Sequence, residues 1–300
     1  MGPLFGMQQD RPRLARGWQG TQEMTRKIDL IAGLVVLGAL ALATPALAQY
    51  SAPKMGSSST SSGAPGENYH LEVAAGLWNP TVMGVIASEQ FGIAGSKIDF
   101  VKDLKFQQTR FKDFRFVLKA SKHNKLYAQY TPVSFSSDTT LTRDIVFNGQ
   151  KFALNLPIKA GFDWKVWRIG YELDVVSLPR GFLGVTLEGR LTDFGASLKA
   201  PATSEFTRAK GPLPAVGAIA RVYPVPQFSL TGSVSGFKVP DVSPDYAGNY
   251  IDWEAYGTLN VNRYVGVQGG FRKMSTTVTI KKDFGDMKYT GVWFGAVVRY

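Results

Sequence analysis

Residues 291–300, GVWFGAVVRY, decide the fold through their parity. An extended chain sends successive side chains to opposite sides. Val292, Phe294, Ala296, Val298 and Tyr300 therefore share one face, while Gly291, Trp293, Gly295, Val297 and Arg299 take the other. The first face is apolar throughout and ends on an aromatic side chain, the pattern of a strand with one side against an apolar medium. A helix would need its apolar positions three and four apart.

The same alternation runs upstream as far as Tyr69. Trp167, Ile169, Tyr171, Leu173 and Val175 oppose Arg168, Gly170, Glu172 and Asp174; Leu183, Val185 and Leu187 oppose Thr186, Glu188 and Arg190. Ile251, Trp253 and Leu259 oppose Asp252, Glu254 and Thr258, and Val265 and Val267 oppose Gln268 and Arg272. Links at 122–125, 177–181, 224–227 and 262–264 are short, whereas those at 88–110, 137–157, 200–211, 240–249 and 282–286 are mostly longer and more polar. Short turns on one side and long loops on the other separate an outer-membrane barrel from a soluble sandwich or lipocalin-like barrel, the structural rival.

The fold class is all-β: a transmembrane antiparallel up-and-down β-barrel of about ten strands, with eight as the alternative count. The strands are expected at 69–87, 111–121, 125–137, 157–176, 182–198, 212–223, 228–239, 250–261, 265–281 and 287–300. Several exceed the ~9 to 11 residues that cross a bilayer at a tilt, so the sheet is expected to extend beyond the membrane on the loop side.

The terminal strand resembles those of Gram-negative outer-membrane barrels, in which a terminal aromatic and alternating apolar residues are recognised by the barrel-assembly machinery. In layout, residues 69–300 resemble the broad OmpA/OmpW-like group of small barrels. The resemblance implies that Val292, Phe294, Ala296, Val298 and Tyr300 form the assembly signal. It also implies periplasmic chaperones, outer-membrane lipid and lipopolysaccharide as partners, and a location in the bacterial outer membrane.

Upstream, residues 28–48 form the one long apolar run, preceded by Arg26 and Lys27 and ending on Ala46-Leu47-Ala48. That is a secretory signal peptide over 24–48, cleaved after Ala48, with Ala46 completing the small-residue site. Residues 1–23 precede the basic region without apolar periodicity and read as a mis-annotated extension. Residues 49–68 form a Ser/Gly/Pro linker expected to be disordered.

Composition narrows the chemistry. The chain has no cysteine, which excludes disulfides, thiolate metal sites and a cysteine nucleophile. The net charge of +11 is scattered without an arginine-rich run or a recognised motif, so nucleic acid is not an expected partner. No cofactor is expected, and the two histidines, His70 and His123, are isolated and form no zinc pattern. The inward face collects Arg168, Glu172, Asp174, Glu188, Arg190, Asp252, Glu254 and Arg272, with His70, Glu72 and Arg221. In a barrel this narrow, side chains largely fill the interior, and such charges are expected to pair in a structural or pore-lining network. A serine nucleophile needs a histidine base within reach, and neither histidine sits where external substrates arrive. The expectation is a non-enzymatic integral outer-membrane protein, structural or allowing narrow porin-like solute passage. The alternatives are a surface binding or adhesion protein using its loops, and a lipid-modifying enzyme.

Overall fold

The structure is a computed structural model and describes residues 64–89, 93–238, 246–280 and 283–300. Its strands are β1 (Leu71–Ala87), β2 (Ile98–Asp99), β3 (Phe111–Lys119), β4 (Asn124–Thr140), β5 (Ile145–Phe147), β6 (Gln150–Phe152) and β7 (Pro157–Leu178). They continue with β8 (Gly181–Lys199), β9 (Ser204–Val225), β10 (Phe228–Lys238), β11 (Tyr246–Asn260), β12 (Val265–Ile280) and β13 (Asp283–Arg299). Ten of these, β1, β3, β4 and β7 to β13, pair antiparallel in sequence order, and β13 pairs back onto β1 to close the barrel. The count of ten stands and the alternative of eight is set aside. β2 adds to the upper end of β1, and β5 and β6 form a hairpin within the β4–β7 loop.

Three links expected to be long are shorter. β9 begins at Ser204, β11 at Tyr246 and β13 at Asp283, so the strands run on into what reads as loop. Between β8 and β9 the extension is tied on the outer face by Asp193, which accepts from Arg208 Nε at 2.7 Å and lies 3.2 Å from Lys210 Nζ.

β7 shows what surrounds the barrel. From Ile158 to Asp174 its even-numbered residues face inward, and its pairing with β4 is unbroken. From Arg168 to Asp174 the inward residues are polar or glycine, while Trp167, Ile169, Leu173 and Val175 point outward and are exposed. From Ile158 to Val166 the inward residues are Ile158, Ala160, Phe162, Trp164 and Val166, and the outward ones include Lys159, Asp163 and Lys165. The two faces exchange polarity at Val166 and Trp167. β8 does the same near Thr192, with Leu191 exposed on one side of the boundary and Ala196 and Leu198 buried on the other. β13 repeats it, Val292, Phe294 and Val298 outward in one half and Met287 and Tyr289 inward in the other.

Apolar outside and polar inside suits lipid, whereas polar outside and apolar inside suits water. The exchange therefore marks the level at which the barrel leaves the hydrocarbon. On β7 the apolar-outward part, Trp167 to Val175, is nine residues, matching the ~9 to 11 that a tilted strand needs. A soluble barrel would bury apolar residues along its whole length, so that rival is excluded.

Beyond the boundary lies a solid apolar core. Trp164 stacks on Phe194 with ring centroids 5.0 Å apart and approaches Tyr289 at 5.4 Å; Trp78 meets Phe111 at 6.0 Å and Phe111 meets Phe135 at 5.3 Å. These rings come from six strands and span the lumen. The loop segments cover them: Ile98, Phe100, Leu104 and Phe106 pack with Leu141, Ile145, Phe147 and Phe152. Arg143 ties the two loops together through Asp103 at 2.7 Å, and Asn148 reaches Glu205 at 2.9 Å. The result is an ordered head above the membrane level.

The signal-cleavage residues Ala46 and Ala48, and residues 1–63 generally, lie outside the described residues. The end of the segment read as a disordered linker does not behave as one. Ala64 and Tyr69 are buried, and Pro65–Glu67 form a 3-10 turn packed into the short-turn mouth. Composition misses this because a single carboxylate, Glu67, holds the turn through Arg221 at 2.9 Å.

Candidate functional site

Among the described residues, the polar half of the lumen gathers a concentrated set of ionisable side chains. It arises from strand parity: once the outward positions face lipid, every charge in the membrane-spanning part must sit on the inward ones, where unpaired charge is costly. All eight residues expected there are buried, from 1% exposed for Arg190 to 8% for Arg168. They form linked groups rather than one cluster.

In the upper group Asp252 is central. Its carboxylate lies 2.8 Å from Arg272 Nη2, 3.3 Å from Arg190 Nη1 and 3.9 Å from Arg168 Nη1, and it accepts from the Tyr250 hydroxyl at 3.0 Å. Arg168 also forks onto both oxygens of Glu188 at 2.7 and 2.6 Å, and Arg190 lies 2.9 Å from Glu188. Arg272 reaches across to Asp113 at 3.0 Å, which also accepts from Gln129 and Thr131. Glu254 pairs with Arg115 at 2.6 Å. In the lower group Lys125 lies between Glu172 at 2.7 Å and Asp174 at 2.9 Å, and Arg299 pairs with Glu72 at 2.6 Å.

Sequence reasoning missed Asp113, Arg115, Lys119, Lys125 and Glu67, and read Arg299 only as the back of the terminal strand. The signal was present in β3: Phe114, Phe116 and Leu118 are outward and exposed, which puts Asp113, Arg115 and Lys119 inward. With these included, the described lumen and its mouth hold eight carboxylates, Glu67, Glu72, Asp113, Glu172, Asp174, Glu188, Asp252 and Glu254. They also hold eight cations, Arg115, Lys119, Lys125, Arg168, Arg190, Arg221, Arg272 and Arg299.

Chemically, these pairs act as struts across the lumen: Arg272 of β12 to Asp113 of β3, Arg115 of β3 to Glu254 of β11, Arg190 of β8 to Asp252 of β11. Tyr127 of β4 lies across Gly170 of β7, where an added Cβ would sit 2.4 Å from the ring and force it to shift. Between the groups is a cavity of about 40 Å³ lined by Glu72, Arg115, Lys125, Arg221 and Glu254 among others. It has room for one or two waters.

His70 was expected inward, but it is exposed where the chain enters β1, because the barrel parity begins inward at Glu72. His123 lies in the β3–β4 turn with Nδ1 3.0 Å from the Asp174 carbonyl. Among the described residues no group of three His, Cys, Asp or Glu side chains is placed to hold a metal ion. The terminal strand pairs with β1 from Glu72↔Arg299 to Ala87↔Phe284, and the Tyr300 carbonyl accepts from the His70 and Leu71 amides at 2.7 and 2.8 Å. Val292, Phe294, Val298 and Tyr300 all point outward, as does Ala296.

No family model matches the chain, and no curated protein matches it. Among solved structures it is similar to the outer-membrane protease OmpT of Escherichia coli, at 9% identity and a TM-score of 0.52, over 77% of this chain and 96% of that one. It also matches the attachment invasion locus protein Ail of Yersinia pestis, at 11% identity and a TM-score of 0.33, over 77% and 99%. A third match is the toluene transporter TodX of Pseudomonas putida, at 8% identity and a TM-score of 0.33, over 77% and 90%. The first match corrects the expectation that the protein is not an enzyme: the fold it shares carries a protease, so histidine count and position do not exclude catalysis. At this identity the likeness establishes the fold and nothing finer. Taken with the exchange of polarity along its strands, that fold makes the chain an integral membrane β-barrel with the architecture of the small outer-membrane barrels.

Proposed function

We propose that the barrel is closed to solutes and serves as a membrane anchor for the ordered head, whose outer surface is where ligands meet the protein. The filled lumen is the observation that carries this reading. Eight ion-paired carboxylates and the aromatic layer of Trp78, Phe111, Trp164 and Tyr289 occupy the interior in series. A pore of this strand number leaves little lumen even before such filling. The head supports the second half of the reading, since loops on a rigid scaffold are the usual place for recognition, and Lys102, Lys105 and Lys151 stand exposed on it. The export route proposed is a signal peptide cleaved after Ala48, followed by chaperone escort and insertion by the assembly machinery. Lysine and arginine on the outer face beyond the apolar band suit lipopolysaccharide phosphates.

In planar bilayers the purified protein is expected to give no discrete conductance steps over a wide voltage range. Reproducible steps from the wild-type protein would overturn the closed reading. For the terminal strand the expected result is that deleting Tyr300 reduces the heat-modifiable form in outer membranes severalfold, while protein refolded in detergent keeps its gel shift. Equal loss in both settings would mean that Tyr300 acts in closing the barrel and not in recognition.

A further inference from the structure

One lumen carboxylate comes from outside the sheet. Glu67, on the turn in the short-turn mouth, accepts through Oε1 from Arg221 Nη1 at 2.9 Å and the Tyr223 hydroxyl at 3.0 Å, and its Oε2 lies 3.3 Å from Lys119 Nζ. The receiving groups are built into the wall: Arg221 is 4% exposed and Tyr223 2%. Arg221 is oriented independently of Glu67, because its Nε donates to Thr231 at 2.9 Å and its Nη2 to Tyr256 at 3.3 Å. Lys119 also holds the Glu67 carbonyl at 2.8 Å. The turn fits closely, since a Cβ on Gly66 would lie 2.7 Å from the Tyr223 hydroxyl. Yet Glu67 keeps about a fifth of its side chain open to solvent, at 21%, so the site can be reached from the mouth.

Burial alone would raise the carboxyl of Glu67, but the charges of Arg221, Lys119 and Lys125 outweigh it and hold the group at about 2, below its ordinary 4.5. A pre-oriented guanidinium, an ammonium and a phenol converging on one carboxylate are a receptor for that group, whichever molecule supplies it. We propose that Arg221, Lys119 and Tyr223 form a carboxylate-binding site at the short-turn mouth, with Glu67 as its tethered and displaceable occupant. The ligand class is small monocarboxylates, since what the site holds is a single carboxyl group, received by Arg221, Tyr223 and Lys119. The inference stands whether or not the barrel conducts.

The test uses Glu67→Ala in the full mature chain, refolded in detergent, with the heat-modifiable transition followed against sodium acetate and against sodium chloride at equal ionic strength. Glu67→Ala is expected to unfold at a lower temperature than wild type. Millimolar acetate should restore most of that loss saturably and chloride should not, and Glu67→Ala with Arg221→Gln should not respond. An equal response to both salts, or an acetate response that survives Arg221→Gln, overturns the proposal. If the alanine variant does not fold, Glu67→Gln is read by the same criteria. A pH series adds a check on the interaction itself. Because the folded value of Glu67 is depressed, its contribution is present above about 4.5 and is lost as pH falls toward 2. The gap in midpoint between wild type and Glu67→Gln should close over that window, and a constant gap counts against the site.

Discussion

Asp252→Ala is expected to lower the barrel's stability by about 3–5 kcal/mol, the usual cost of removing one partner from a buried ion pair. The reason is stoichiometric. Asp252, 3% exposed, neutralises Arg272 directly and shares Arg190 and Arg168 with Glu188. Without it, three buried guanidiniums are left with Glu188 and Asp113. Asp252→Asn keeps the shape and some hydrogen bonds but not the charge, so it should fall between wild type and alanine. Replacing Asp252 and Arg272 together by leucine and methionine should recover much of the loss, since paired removal leaves less uncompensated charge. The midpoint of the heat-modifiable transition measures each variant. An unchanged midpoint for Asp252→Ala would show that water reaches the lumen freely enough to solvate the arginines.

Trp164→Ala should cost a similar amount, about 3–5 kcal/mol, through a different term. Trp164 is 1% exposed and packs between Phe194 and Tyr289, so truncation leaves a cavity in the middle of the aromatic layer. Its indole Nε1 has no hydrogen-bond partner. Trp164→Phe should therefore be much milder, because the smaller ring also removes a buried donor left unsatisfied. If alanine and phenylalanine cost the same, the aromatic layer beneath the head is loosely packed.

The sequence made the spanning halves of β7, β8, β11 and β12 legible because lipid imposes a single rule there: apolar residues take one parity and charges the other. It misled where the medium changes. Ile158 to Val166 share the parity of Arg168 to Asp174, so a search for one continuous apolar face meets a phase break within a strand. That break is the water boundary. β9 was read as starting at 212 because residues 200–211 look like a polar loop, whereas it begins at Ser204 and carries Pro212 and Pro214 within it. Among the described residues β10 pairs with β9 only as far as Val216, leaving the upper part of β9 with β8 as its neighbour. Proline is tolerated on such an edge, where one side of the strand has no ladder to complete.

At the site, parity gave the inward charges, but the partner of each depends on the stagger between strands around the barrel, which one strand's sequence does not carry. Arg272 meeting Asp113 joins positions 159 residues apart. Glu67 was hidden for another reason. Its surroundings have the composition of a linker, and only the three groups that receive it make it structural.

The seam between the first and last strands joins the two ends of the described sheet. Glu72 and Arg299, which pair across it, are 227 residues apart in sequence. Until β13 is in place one edge of β1 lacks its native partner, and no shorter portion of the chain can satisfy that edge in the native register. Pairing across that seam is the kind of long-range contact that forms slowly, and until it forms β1 keeps an unpaired edge of the kind that recruits wrong partners.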